Sequence, residues 1–165
     1  IMGWLEWDCR PEDKKAEVEH YLGDSIIKTV WVGSTCYAAY RSKNGDIHGL
    51  VAITRSGNGR VAVKEITEDM GPGECKCPNS ILKILSPTTD VYALEWRKRC
   101  QEHNARPKLG KLPIGSRIAY KRWDGVEVTA QKMAPNHQFR TTWWWHEGTD
   151  HYISKKNIPE EFTVL

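Results

Sequence analysis

RVAVKEITEDMGPGECKCPNSILKIL, running from Arg60 to Leu85, decides how the chain divides. Val61 and Val63 alternate with Arg60, Ala62 and Lys64, the two-residue period of a half-buried strand. Met70-Gly71-Pro72-Gly73 breaks that strand, and Pro78 opens a short apolar helix predicted over residues 79–85. The stretch also gathers Glu65, Glu68, Asp69, Glu74, Cys75 and Cys77, the densest set of reactive side chains in the sequence.

Upstream, Trp4, Leu5 and Trp7 form an apolar leading segment. Asp8 through Pro11 reads as a helix start, with Glu12 and Asp13 favourable at the positive end of the dipole. Val18, Tyr21 and Leu22 supply one stripe, and Gly23 caps the end. Residues 26–32 and 35–41 are rich in β-branched and aromatic residues, with Gly33 between them. Asn44-Gly45 is a strong hairpin signal, residues 47–54 return, and Ser56-Gly57-Asn58-Gly59 turns the chain into residues 60–66. The glycines of that last turn suit a hairpin and do not match a phosphate loop.

Downstream, Ser86-Pro87 stops the short helix, and Thr88 or Thr89 caps a second one over residues 90–104, with Tyr92, Trp96, Cys100 and His103 along one stripe. The first unit, residues 2–105, is therefore predicted as an α+β antiparallel meander with helices on one sheet face. ARPKLGKLP, residues 105–113, is basic and punctuated by Pro and Gly; residues 106–111 read as a linker. Residues 112–165 then show short strands at 117–121, 126–132, 138–145, 151–154 and 162–165. Five strands in so short a span suggest a small SH3-like β-barrel.

The chain has 165 residues, enough to bury a core without staples, and eight tryptophans, a high number. Five cysteines without framework spacing point to reduced thiols and a cytoplasmic setting. No apolar run is long enough to span a bilayer and no leader pattern is visible, so no membrane partner is expected. Ile1 before Met2 reads as an added residue, with Met2 the natural start. Charge is uneven: residues 1–105 carry 14 Lys/Arg against 15 Asp/Glu, and residues 106–165 carry 10 against 6. The positive second half favours an anionic partner without the density of a dedicated DNA-binding arm.

A wider pattern joins these pieces: Met2-Gly3-Trp4, Tyr37-Ala38-Ala39, residues 50–54 (LVAIT), Glu68-Asp69-Met70-Gly71-Pro72, Cys77-Pro78, Ile81-Leu82, Trp96-Arg97 and Cys100. In these positions the chain resembles an uncharacterised bacterial family, a domain of unknown function found on plasmids, phages and integrative elements. The resemblance covers mainly residues 2–104. It implies a mobile-element setting, with action against host defence or in element maintenance, and brings no chemistry with it.

Three constellations carry candidate chemistry. Cys75, Cys77, Cys100 and His103 supply four zinc-type ligands, His103 lying one helical turn from Cys100. The alternative is that Cys100 is a core residue on an apolar stripe. Glu65, Glu68 and Asp69 mark a possible functional turn: a carboxylate there acts as acid or base, or makes a structural pair, and Arg97 is the expected partner of Glu65. Asp69 also suits a turn former. Cys75 or Cys77 with His20, His48 or His103 would make a nucleophile pair. In the second unit, Lys121, Arg122, Trp123, Arg140 and Trp144 combine cations with aromatics, the logic of a binding surface for protein or nucleic acid. At least one face of the Trp143–Trp145 run is expected in the core. The leading expectation is a non-catalytic binding protein of a mobile element, engaging a host protein or nucleoprotein complex. Direct nucleic-acid binding, and a small enzyme or zinc module centred on Glu65–Cys77 and Cys100, are the alternatives.

Overall fold

The computed structural model describes residues 3–165; Ile1 and Met2, the expected added residue and natural start, lie outside the described residues. The chain forms two compact units, residues 1–105 and 106–165. Among the described residues it holds two five-stranded antiparallel sheets and three α-helices. None of these helices is long and apolar enough to cross a membrane.

In the first unit, β1 (Leu5–Asp8), β2 (Ile26–Val32), β3 (Thr35–Arg41), β4 (Ile47–Gly57) and β5 (Arg60–Thr67) order as β1-β5-β4-β3-β2. The leading apolar segment is thus an edge strand, paired to β5 with Trp7 opposite Val61. Helices cover both faces rather than one. On one face, Cys36, Ala52, Val61 and Val63 pack against Val18 of α1 (Lys14–Leu22), with Trp7, Tyr21 and Trp31 at the margin. On the other, Tyr37, Ala39 and Val51 pack against Ile81 of α2 (Asn79–Leu82) and Trp96 and Cys100 of α3 (Val91–Ala105). The reason lies in β3, where Cys36, Tyr37, Ala38 and Ala39 are all buried, and a strand apolar at consecutive positions needs cover on both sides. Glu19 fastens α1 to β2 by accepting hydrogen bonds from Thr29 Oγ1 and Trp31 Nε1, each at 2.9 Å.

The irregular segment after β5 is pinned by side chains, which satisfy backbone groups that no ladder reaches. Tyr37 Oη accepts from Lys76 N at 3.1 Å, Trp96 Nε1 donates to Glu74 O at 2.7 Å, and Asn104 Nδ2 donates to Cys77 O at 2.8 Å. Trp96 lies so close to β4 that a Cβ at Gly49 would sit 2.7 Å from its Cζ3.

In the second unit, β6 (Arg117–Lys121), β7 (Glu127–Met133), β8 (Trp143–His146), β9 (Tyr152–Ile153) and β10 (Thr163–Val164) order as β10-β6-β7-β8-β9. Ile118, Tyr120, Ala130, Trp144 and Ile158 form its core, joined by Leu109 and Leu112. The stretch expected to be a linker is therefore folded in part. Leu109–Lys111 makes a 3-10 turn, and buried Lys132 donates from Nζ to Leu112 O at 2.7 Å and to Gly110 O at 3.4 Å.

Gly49→Ala forces a methyl against a buried indole with no room to yield, and is expected to cost about 1–3 kcal/mol. A lowered urea midpoint at unchanged slope would show it; an unaltered midpoint would mean that Trp96 is free to move.

Candidate functional site

The junction between β5 and the helical layer builds one site. Glu68–Met70 forms a 3-10 turn closed by Gly71, whose φ of +63° is the left-handed conformation that glycine tolerates. This turn drives the Glu68 side chain inward until it is 1% exposed. A carboxylate so buried must be paired, and here it is paired twice. Arg97 donates from Nε to Oε2 at 2.8 Å and from Nη2 to Oε1 at 2.6 Å, the bidentate fork. His48 Nδ1 lies 3.0 Å from the same Oε1. Arg97 Nη1 continues to Ser86 O at 2.7 Å, and Ser86 Oγ accepts from Ile47 N at 2.8 Å, so the network ties α3 to β4.

His48 is a quarter exposed and lines a cavity of about 380 Å³ with Tyr40, Ser42, Asp69, Thr88 and Asp90. With its Nδ1–H given to Glu68, its Nε2 is an acceptor without a partner among the described residues. Asp69 Oδ1 accepts from Thr67 Oγ1 at 2.6 Å, a bond between side chains and not the backbone bond of a turn former, and Asp90 Oδ1 caps α3 by accepting from Ala93 N at 2.8 Å. The arrangement holds one imidazole in a fixed orientation, able to accept a hydrogen bond or a proton from a ligand in the cavity.

Arg97 therefore pairs with Glu68, not with Glu65. Strand alternation explains the difference: Glu65 shares the face of Val61 and Val63, which α1 covers, while α3 lies on the opposite face. Glu65 instead meets Tyr21; burial raises its carboxyl pKa, and the Tyr21 hydrogen bond partly offsets this. Cys77 and Cys100 are fully buried in the core beneath Tyr37 and Trp96, and Cys75 packs at its edge. Burial pushes the Cys100 thiol up to about 12 and raises Cys77 and Cys75 as well, the opposite of what a nucleophile needs. Among the described residues no group of three or more His, Cys, Asp or Glu side chains is set to hold a metal ion, and His103 is not drawn into such a group.

In the second unit, Trp144 is 1% exposed and belongs to the core, so it offers no binding face. Alternation along β8 sends Trp143 and Trp145 to the other side. There Trp143 packs with Phe139 and Tyr152 at ring-centroid distances of 5.1 and 5.8 Å, the rings filling the space between them. Arg140 is exposed beside this cluster. Trp123, by contrast, is 97% exposed at the β6–β7 hairpin, flanked by Arg122 and Asp124, which pair at 2.7 Å, with Lys121 just before them.

Comparison with family models, with curated proteins and with solved structures gives no match to this chain. The site rests on its own geometry. Of its residues, Glu68, Asp69 and Arg97 stand out in the sequence, whereas Tyr40, Ser86 and Asp90 do not. His48 carries one signal, a polar ring in the otherwise apolar run of residues 47–53.

Arg97→Met is expected to destabilise by about 3–5 kcal/mol because it strands a buried carboxylate. The double change Glu68→Gln/Arg97→Met should recover part of that loss in a urea double-mutant cycle, and strict additivity would refute the coupling. Glu65 gives a pH test. Its folded pKa lies above the ordinary 4.5, so the group favours folding at low pH and loses that contribution as pH rises through the folded value. Glu65→Gln, which keeps an acceptor for Tyr21, is therefore expected to exceed the parent in stability at neutral pH. The gain should vanish below the glutamate range when melting is followed against pH.

Proposed function

We propose that the protein acts by binding rather than by catalysis, and that its second unit engages a host protein or nucleoprotein complex on behalf of a bacterial mobile element. The observation that carries this reading is Trp123. A fully exposed indole forgoes a large burial term, and tryptophan is the residue most enriched where interfaces concentrate their energy. Its hairpin is closed by hydrogen bonds. Arg122 N donates to Val126 O and Gly125 N to Arg122 O, both at 2.9 Å, and Asp124 Oδ1 accepts from Val126 N at 3.2 Å. Holding the ring on a short closed turn lowers the ordering cost of docking.

Local charge favours a protein surface over a phosphate backbone at this place. Arg122 is tied to Asp124, which leaves Lys121 as the neighbouring cation without an ion pair among the described residues. An indole projecting beside one lysine fits an apolar recess with an acidic rim. The strand order β10-β6-β7-β8-β9, with a 3-10 turn at Lys155–Asn157 before the last strand, supports an SH3-like small barrel as the carrier of this hairpin. The mobile-element setting rests on the resemblance in residues 2–104.

A photo-crosslinking amino acid at position 123, expressed in a bacterial host, is expected to join the chain to one discrete protein. Trp123→Ala should weaken that complex at least tenfold with the fold unchanged. No adduct at 123, or adducts to nucleic acid alone, would overturn the reading.

A further inference from the structure

One sheet face of the first unit has a stretch that α2 and α3 leave open. The register places Arg55 opposite Ala62, Gly57 opposite Arg60 and Ile53 opposite Lys64, so Arg55, Arg60, Ala62 and Lys64 share the face of Val51, beyond its helical cover. Glu6 lies opposite Ala62 and Asp8 opposite Arg60, and alternation along the chain brings Trp4 to the same side. Ala62 and Gly57 are small, so the floor of this area is low while long side chains stand around it. The result is a trough of about 410 Å³ bounded by Trp4, Arg55 and Arg60. On the far side of the same turn a second hollow, of about 140 Å³, is lined by Arg10 and Lys14.

The Arg55 guanidinium lies 4.3 Å from the centre of the Trp4 ring. That stack orients a planar cation at the wall of the trough, and nucleobases stack on guanidinium planes as they do on aromatic rings. Arg60 lines the trough and Lys64 lies further along the same strand face, and Asn58 and Gly59, with φ of +52° and +72°, hold the tip in a tight turn. Carboxylates also face this area. Glu6 Oε2 is 3.9 Å from Arg60 Nη2, both side chains more than half exposed, and such a pair is worth little against a phosphate. Across the turn, Asp13 engages Arg10 at 2.8 Å, which leaves Lys14 as the cation there without an ion pair among the described residues.

We infer that this trough binds single-stranded nucleic acid, with a base stacked on the Trp4–Arg55 pair and the backbone held by Arg55, Arg60 and Lys64. A strand fits better than a duplex, because stacking needs an unpaired base face and the contacts form a short line rather than a groove-wide footprint. The inference stands apart from the role of Trp123, and its readout involves no protein partner.

The test is fluorescence anisotropy of a labelled 15-nucleotide single strand with the full chain, at salt from 50 to 200 mM. Three phosphate contacts on a single strand predict a log–log slope of about −2, hence roughly a 20-fold loss of affinity across that range. Arg55→Glu/Arg60→Glu, both on exposed side chains, should lower affinity at least tenfold with the circular dichroism spectrum preserved. Glu6→Gln, which frees Arg60, should tighten binding, and Lys121→Glu in the second unit should leave it unchanged. Absence of binding at 50 mM, or loss with Lys121→Glu but not with the double reversal, would overturn the site. Equal competition by inorganic polyphosphate of matched charge would overturn the stacking role of Trp4 and Arg55.

Discussion

A single buried carboxylate organises the first unit. Glu68 leaves the end of β5 and enters the space between sheet and helices, where it would be intolerable alone. Arg97 from α3 takes both of its oxygens, and His48 from β4 takes one of them again. The pair is less a source of net stability than a geometric lock, since desolvation offsets most of the attraction. What it fixes is register. Arg97 must lie opposite the turn, and through Ser86 the segment before α3 is then tied to Ile47. Gly49 belongs to the same constraint, because any side chain there would meet Trp96 and the Glu68 carboxylate together.

The second unit solves a similar problem with the opposite charge. Lys132 is buried, and its ammonium is satisfied by carbonyls of the turn at Leu109–Leu112. A basic residue that might have served a surface is thereby spent on holding residues 109–112 against β7. Arg117 is likewise committed to Glu147, at 2.6 and 2.8 Å. The Arg117–Glu147 pair is neutral within the formal excess of positive charge in residues 106–165, and burial of Lys132 removes one charge from what a partner meets. Trp123 stands out the more because Arg122 beside it is paired with Asp124, which leaves Lys121 as its neighbouring cation.

The candidate binding features differ between the two units. The first unit has a polar cavity beside His48 and an open sheet end with stacked Trp4 and Arg55. The second presents one projecting indole on a closed hairpin. None of these depends on Cys36, Cys77 or Cys100, whose buried thiols hold their protons and behave as small core residues.

Local signals determined a good part of the molecule. β2, β3 and β6 follow from β-branched and aromatic runs, and the hairpins at Asn44-Gly45 and Asn58-Gly59 from residues that accept positive φ. The helix over Val91–Ala105 follows from spacing, although its cap is Asp90 and not the expected Thr88 or Thr89. These are short-range effects, written in neighbouring residues. Tertiary structure alone decided which carboxylate Arg97 meets, since Glu65 and Glu68 differ by three positions and a turn sends them to opposite faces. It also decided that Trp144 is core while Trp123 is surface, because composition counts tryptophans without knowing which side of a strand or turn each occupies. Burial and pairing are properties of residues far apart in the chain, and only the folded packing brings them together.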